Sequence, residues 1–181
     1  MWKIVYAKDN DYPSLGKCYR RISEQAEALP SSLSSEPDFP SLQRLFVAKD
    51  GARVIGAISL SRDLGKSLFP KSESPRKLYS LLGSIDYQAD ENFVIDFIYV
   101  DPAYIRKGIG SALVKAVESQ YPLGLFIAPI PLASSIAEAF FIKLGYHNFG
   151  IVPDLEINPG LATKIYAKKV KRDGLCRDIN W

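Results

Sequence analysis

The chain is poor in the residues that build metal sites and disulfide frameworks. Its 181 residues include two cysteines and one histidine. Cys18 and Cys176 lie far apart and do not form the paired framework of a disulfide-rich protein, which favours a reducing, cytoplasmic setting. Cys18 falls on the apolar face of a predicted helix, so we interpret it as a core residue. We therefore expect no metal site.

Long apolar runs and a large excess of one charge are also lacking. No apolar run approaches the ~20 residues that a membrane-spanning helix needs. The N-terminus, MWKIVYAKDND, lacks the small-residue cleavage site of a signal peptide. The net charge of +3 is too small to argue for binding to nucleic acid or to a membrane. Length and composition fit one compact soluble domain over residues 1–181, with residues 171–181 as a polar tail.

The most informative segment runs from Phe93 to Glu118 and has the sequence FVIDFIYVDPAYIRKGIGSALVKAVE. It predicts an apolar strand over Phe93 to Val100, an Asp-Pro turn, a short basic glycine loop and an amphipathic helix. At the start of a helix the first N–H groups have no intrahelical partner, and the helix dipole is positive there. Glycines without Cβ atoms let an anion approach these amides. The segment predicts a phosphate cradle formed by Arg106, Lys107, Gly108, Ile109, Gly110 and Ser111.

The order of the glycines excludes two other phosphate-binding motifs. A Walker loop needs four residues between its glycines and then Gly-Lys-Ser/Thr, which the chain lacks. A dinucleotide fingerprint needs a third glycine at the position of Leu113. The ordered string of strand, Val-Asp-Pro, spacer, basic residues and Gly-x-Gly-Ser-Ala-Leu resembles instead the acyl-CoA-binding segment of the GNAT superfamily of N-acyltransferases.

A second segment carries the same resemblance. Ser134 to Tyr146, SSIAEAFFIKLGY, is similar to the family's helix that ends in a Tyr-x-Lys-Leu-Gly-Phe signature. Gly145 suits the left-handed cap after the last turn of this helix. Helical spacing predicts an apolar face made of Ile136, Ala139, Phe140 and Leu144.

Other segments predict the remaining elements. Two β-rich runs within Leu45 to Leu60 flank Asp50-Gly51, which indicates a hairpin. Pro13 suits the first turn of a helix, and the apolar run from Leu123 to Ala128 predicts a buried strand. Further strands are predicted over Trp2 to Ala7, Tyr146 to Val152 and Thr163 to Val170. The resemblance covers roughly Leu45 to Tyr166, with a poor match over residues 62–92.

The resemblance implies an α/β (α+β) fold, a single domain with a central mixed, mostly antiparallel twisted sheet and helices on both faces. It implies transfer of an acetyl group from acetyl-CoA to a primary amine of a small molecule, peptide or protein. The loop would hold the pyrophosphate, and the backbone of Ile98, Tyr99 and Val100 would hydrogen-bond the pantetheine arm. Many relatives associate, so the choice between monomer and homodimer stays open.

Asp96 is the best candidate for a general base. Acyl transfer needs the lone pair of the amine, and a lysine-like amine with a pKa of ~10.4 is neutral in only about one molecule in 2,500 at pH 7. Asp96 interrupts the apolar strand, and by alternation it opposes Phe97 and Tyr99. In some family members an acidic residue at this position receives the amine's proton. The alternatives are that Asp96 caps or pairs with a basic side chain, or that a bound water is the base.

Two departures from the family pattern keep a second class of function open. Ile105 stands where the family has Gln or Arg, and Phe141 stands where a tyrosine often protonates the leaving thiolate. Phe141 can pack the pantetheine arm but cannot be an acid, whereas Ser134, at the family's asparagine position, can still hydrogen-bond the arm. We interpret His147 as structural or exposed. A non-catalytic acyl-CoA-binding sensor or scaffold is therefore the alternative to an enzyme.

Overall fold

The computed structural model describes residues 1–25, 44–62, 92–153 and 162–170. Seven strands of this described chain form one sheet with the order β1-β2-β3-β4-β5-β7-β6. The strands are β1 (Trp2–Tyr6), β2 (Arg44–Asp50), β3 (Arg53–Ser61), β4 (Asn92–Val100), β5 (Leu125–Pro131), β6 (His147–Pro153) and β7 (Ala162–Lys169). The helices are α1 (Tyr12–Gln25), α2 (Ile109–Gln120) and α3 (Ser135–Lys143). The β4–β5 pair is parallel, whereas β1–β2, β2–β3, β5–β7 and β6–β7 are antiparallel, which confirms the mostly antiparallel mixed sheet.

The chain divides into two compact units. The first unit comprises Met1–Ser61 and Ile95–Val117, and the second comprises Arg62–Val94 and Glu118–Trp181. A single domain over residues 1–181 stays a prediction. The predicted polar tail, most of the poorly matched stretch 62–92, Cys176 and the side chain of Cys18 lie outside the described part of the chain.

The predicted hairpin forms β2 and β3 in the first unit. Its turn joins Asp50 to Arg53 through two residues, and Gly51 has φ +60°, a conformation that suits glycine. Helix α1 has Pro13 in its first turn, as predicted. A core cluster joins this helix to the strands through Leu15, Tyr19, Leu45, Val47, Val54, Ala57 and Tyr99.

Strand β5 in the second unit begins two residues later than predicted. Leu123 has φ +81°, a left-handed conformation that no strand residue adopts, so the strand begins only at Leu125. At Gly124, between them, a Cβ atom would lie 3.0 Å from the ring of Phe93. The strand pairs with β4 over three residues and with β7 along its full length, which gives the buried position that the apolar run predicts.

The predicted apolar face of α3 is wrong. Ile136 is 86% exposed, whereas Phe141 is only 4% exposed. Glu138 and Phe141 share a face of the helix because they are three residues apart, and Glu138 contacts Lys164 of β7. This nine-residue helix is apolar on several sides, so its periodicity could not identify the buried face. The predicted left-handed cap is confirmed, because Gly145 has φ +83°.

None of the helices in the described ranges is both long enough and apolar enough to span a membrane.

Candidate functional site

The basic glycine loop connects a short 3-10 helix, Pro102–Tyr104, to helix α2. Gly108 has φ +80°, and a Cβ atom built there would meet nothing within 4 Å, so this part of the loop faces open space. Arg106 has φ 64°, a conformation that costs a residue with a Cβ atom about 1 kcal/mol. Backbone strain of this kind collects at ligand-binding loops.

The first turn of α2 offers backbone donors beside this loop. Its first hydrogen bond runs from the Ala112 N–H to the Gly108 carbonyl oxygen, at 3.0 Å. Within the described chain, no backbone carbonyl accepts from the amides of Gly108, Ile109, Gly110 and Ser111. The adjoining side chains of Arg106 and Lys107 are exposed and positively charged. Open amides, the positive helix end and two cations fit the pyrophosphate of a cofactor.

Gly56 of β3 fixes the position of the helix start. A Cβ atom at this residue would lie 3.1 Å from Cγ2 of Ile109 and 3.1 Å from the carbonyl oxygen of Tyr99. The first turn of α2 can therefore pack closely on the strand only because residue 56 has no side chain. Gly56 was not among the predicted site residues, although a glycine inside a strand is a signal of close backbone approach.

Asp101 anchors the end of β4 immediately before the loop. Its N–H donates to the Ile55 carbonyl oxygen at 2.9 Å, and its Oδ1 accepts from the Ala103 N–H at 3.0 Å. The Arg53 guanidinium donates to Oδ2 at 2.7 Å. The Asp101 residue is buried, and its carboxylate is held by two donors, one on β3 and one in the 3-10 helix Pro102–Tyr104. Asp101 is the aspartate of the Val-Asp-Pro string, but the sequence did not indicate that Arg53 is its partner.

Tyr104 links the loop to the β2–β3 hairpin. Its hydroxyl donates to Oδ2 of Asp50 at 3.2 Å. Lys107 Nζ lies 4.6 Å from the centroid of the Tyr104 ring, within the range of a cation–π contact. Ile105, where the family resemblance places Gln or Arg, is 57% exposed. The loop is thus supported by Tyr104 and not by the residue that follows it.

Asp96 lies half-buried on β4 and accepts two hydrogen bonds from β3. Ser61 Oγ donates to Oδ1 at 2.7 Å, and Ser59 Oγ donates to Oδ2 at 3.4 Å. Ser59 is completely buried. Neither serine was predicted as a partner of Asp96, because Ser61 and Ser59 lie 35 and 37 residues from it in the sequence.

The predicted alternation along β4 is wrong at Asp96. Ser59 pairs directly with Leu45, which lies in the core cluster that also contains Tyr99. Asp96 therefore reaches the face of the sheet that Tyr99 occupies, and Phe97 packs against the same cluster. Asp96 and Phe97 are adjacent, yet both side chains lie on the same face of the sheet, which a regularly pleated strand does not allow. The hydrogen bonds from Ser59 and Ser61 hold the carboxylate on this face.

The remaining predicted residues are divided between the two units. Ile98, Tyr99 and Val100 form the end of β4 in the first unit, together with Asp96 and the glycine loop. Ser134 and Phe141 belong to the second unit.

In the second unit, Ser134 precedes α3 without capping it through its side chain. The ring of Phe141 packs edge-on against Phe140, at 5.1 Å between centroids, and against Tyr146, at 5.0 Å. Contact of Ser134 or Phe141 with a cofactor stays a prediction. His147 was interpreted as structural or exposed, and its side chain is exposed.

The second unit also contains a buried ion pair that the sequence did not indicate. Lys168 Nζ donates to both carboxylate oxygens of Glu118, at 3.0 and 2.9 Å, and lies 5.7 Å from the centroid of the Tyr146 ring. Burial, and then the negative charge of Glu118, raise the pKa of the Tyr146 hydroxyl well above its usual value. This phenol stays protonated at neutral pH. Among the described residues, no three His, Cys, Asp or Glu side chains are grouped to hold a metal ion.

Comparison with known proteins agrees with this geometry. A family model described as the acetyltransferase (GNAT) domain matches residues 41–148, which is more than half of the chain. The chain belongs to the GNAT acetyltransferase family. This membership supports acetyl transfer as the general activity. A search of curated proteins finds no significant match.

Solved acetyltransferase structures share the fold along nearly the full chain. An N-acetyltransferase from Staphylococcus aureus has a TM-score of 0.66 at 16% identity, covering 94% of this chain and 99% of that one. The ribosomal-protein-S18-alanine N-acetyltransferase from Escherichia coli has a TM-score of 0.65 at 17% identity, covering 99% and 100%. A phosphinothricin acetyltransferase from Sinorhizobium meliloti, in complex with acetyl-CoA, has a TM-score of 0.65 at 20% identity, covering 94% and 89%. At these identities the likeness shows the fold alone.

Proposed function

We propose that this GNAT protein is an acetyl-CoA-dependent N-acetyltransferase that acts on a primary amine of a small molecule, peptide or protein. The observation that carries the proposal is the first turn of α2, where four backbone amides without a carbonyl partner in the described chain lie beside the open loop at Gly108. Two exposed cations adjoin them. This arrangement matches the charge and the approach that a pyrophosphate requires.

In this proposal the loop and the end of β4 bind the cosubstrate, and acetyl-CoA supplies the acetyl group as a thioester. The amides of residues 108–111 hold the pyrophosphate, with Arg106 and Lys107 adding charge. The backbone of residues 98–100 hydrogen-bonds the pantetheine arm. Ser134 donates a hydrogen bond to the arm, and Phe141 packs against it.

Asp96 receives the proton of the acceptor amine, directly or through a water. Its position on the same strand as residues 98–100, a few residues before the loop, supports this role. Ser61 and Ser59 of β3 each donate a hydrogen bond to this carboxylate. A carboxylate so placed also attracts a protonated amine before the transfer.

The thiolate that leaves has no tyrosine to protonate it at position 141. A thiol with a pKa near ~8.5 is a tolerable leaving group at neutral pH, so protonation by solvent suffices for turnover. Phe141 nevertheless favours the second candidate, a non-catalytic acyl-CoA-binding sensor or scaffold. Its ring is 4% exposed and packs among other aromatic rings. We also propose a single cytoplasmic domain that uses no metal and binds neither nucleic acid nor membrane, as monomer or homodimer.

Thiol release from acetyl-CoA over a panel of amines, run beside calorimetry with acetyl-CoA, tests the proposal. The panel covers both kinds of acceptor named for the relatives: peptides that begin with alanine, and phosphinothricin. It also includes lysine-like alkylamines. Binding of acetyl-CoA with release of thiol in the presence of an amine is the expected result. Binding without turnover on any amine would favour the sensor or scaffold, and absence of binding would overturn both candidates.

A further inference from the structure

We propose that a cavity of the first unit, beside strand β1, binds a small ligand through a phosphoryl group. The cavity has a volume of about 240 Å³ and is formed by β1, the end of β2 and the segment that leads into α1. None of the residues of the basic glycine loop or of strand β4 lines it. The inference therefore goes beyond the proposed function and does not depend on it.

The side chains around the cavity carry more positive than negative charge. Among the described residues that line it, the charged ones are Lys3, Lys8, Lys49 and Asp11. Asp11 is buried, and its carboxylate accepts from Lys49 Nζ at 2.5 Å and from the backbone N–H of Lys8 at 3.1 Å. The negative charge of Asp11 thus balances the ammonium of Lys49. The ammonium groups of Lys3 and Lys8 are left in excess.

The position of Lys3 makes this excess of positive charge unfavourable. Lys3 lies directly opposite Lys49 in the antiparallel β1–β2 pair, and like charges at such positions destabilise a sheet. Lys3 and Lys8 are exposed, and over the ranges that the structure describes neither of them forms an ion pair with a carboxylate. An anion in the cavity would give both lysines a counter-charge and remove the repulsion between the strands.

The charge and the volume of the cavity define the class of ligand. A phosphate monoester carries a charge of about −1.5 to −2 at neutral pH, which matches two ammonium groups. Lysine is a common partner of phosphate, because its ammonium acts as a point charge and needs no fixed geometry. The volume is below the ~300–1,000 Å³ of pockets for drug-sized ligands, so the ligand is small. Inorganic phosphate and small phosphate monoesters meet both conditions.

Titration with inorganic phosphate at constant ionic strength, followed by NMR of the backbone amides, tests the proposal. The amides of residues 8–11 and 49–51 should shift and reach saturation. The amides of residues 108–111 report on the proposed cofactor site, so the two sites are observed separately and either can fail alone. Absence of a saturable shift at residues 8–11 and 49–51 would overturn the inference.

A double variant, Lys3→Gln with Lys8→Gln, removes both excess ammonium groups. It should weaken the binding of phosphate at this cavity by about tenfold or more, because two charge-assisted hydrogen bonds are lost. Lys17→Gln with Lys115→Gln is the matched control, since both lysines are exposed, neither lines the cavity and the net charge changes equally. Equal affinities in the two double variants would show that only net charge matters and would overturn the site.

Phenyl phosphate distinguishes the two sources of the phosphoryl group. If it binds more tightly than inorganic phosphate, the cavity is a site for a monoester, and the reverse order makes it a site for the free ion. Benzoate has a similar ring but a single negative charge, so it should bind more weakly than either. Benzoate binding as tightly as phenyl phosphate would overturn the assignment to a phosphoryl group.

Discussion

Asp96 in the first unit differs from Glu118 and Glu138 in the second in the donors that its carboxylate accepts from. In the first unit, Asp96 accepts from serine hydroxyls, which are neutral. In the second unit, Glu118 accepts from the ammonium of Lys168, and Glu138 accepts from that of Lys164. An ammonium cancels the charge of a carboxylate, whereas a hydroxyl orients it and leaves the charge in place. The hydroxyls bind Asp96 to β3, and the ammonium groups bind Glu118 and Glu138 to β7.

The first unit also contains carboxylates of the structural kind. Asp101 accepts from Arg53 at 2.7 Å, and Asp11 accepts from Lys49 Nζ at 2.5 Å. Both carboxylates are buried, and each ion pair joins a strand to the segment that follows a neighbouring strand. The type of donor is thus a property of each site and not of the unit.

The largest expected effect is that of Asp96→Asn, which should lower kcat/KM by roughly 10²–10⁴-fold, the usual range for a positioned base. The affinity for acetyl-CoA should hardly change, and the loss should shrink as pH rises, because free amine becomes abundant. Steady-state kinetics over a pH series, with calorimetry for the cofactor, measure both. The matched change in the second unit, Glu118→Gln, should leave the pH dependence of kcat/KM as it is. Full activity of Asp96→Asn at neutral pH would make a backbone-held water the better base.

Gly108→Asp should weaken acetyl-CoA binding by about 100-fold or more, equivalent to ~2.8 kcal/mol. It places a negative charge at the phosphates, at a residue whose φ of +80° also strains any side chain. Gly51→Asp is the matched control, because Gly51 has φ +60° and equally open space around its Cβ position. Calorimetry on both variants separates backbone strain from loss of the site. Equal affinities in the two variants would refute the phosphate assignment.

Glu118→Gln should destabilise the fold by about 2–4 kcal/mol, because it leaves a largely buried ammonium without its counter-charge. The side chain of Lys168 is 17% exposed and that of Glu118 is 10% exposed. The pair should therefore behave more like a buried ion pair than like one on the surface. Urea unfolding measures the loss. Replacing both partners, Glu118→Leu with Lys168→Met, should recover much of it. A loss below about 0.5 kcal/mol in the single variant would show that the pair behaves as a surface contact.

The smallest effect is expected at Glu138 and appears only in acid. Hydrogen bonds from Lys164 and then Tyr166 hold the pKa of the Glu138 carboxyl below its ordinary value of 4.5. The unfolded chain binds the proton more tightly, so this stabilisation is present above pH 4.5 and is lost as the pH falls through the folded pKa. The difference in urea midpoint between wild type and Glu138→Gln should therefore shrink from about pH 6 to about pH 3. A constant difference would contradict this pairing.

Local patterns in the sequence predicted the strands, the hairpin and the glycine loop. The positive φ of Gly108 and the open amides of α2 depend on a few adjacent residues, namely two glycines followed by the start of a helix. Gly145 was predictable for the same reason. These features depend on backbone geometry over short distances, which residue type largely determines.

Contacts between distant segments could not be predicted. The Ser61–Asp96 hydrogen bond needs the register of β3 against β4, and the alternation rule put Asp96 on the wrong face. The hydrogen bond between Lys164 of β7 and Glu138 of α3 joins residues 26 apart, which a helical pattern does not encode. Arg53 gives no local sign that it binds Asp101, 48 residues away.

The contact between Phe141 and Tyr146 has a consequence for protein engineering. The centroids of their rings lie 5.0 Å apart, and residues in contact are energetically coupled. Phe141→Tyr would add a further buried hydroxyl, which needs a partner. The effects of substitutions at positions 141 and 146 on stability should therefore not add, and a library that varies one of these positions has to vary the other with it.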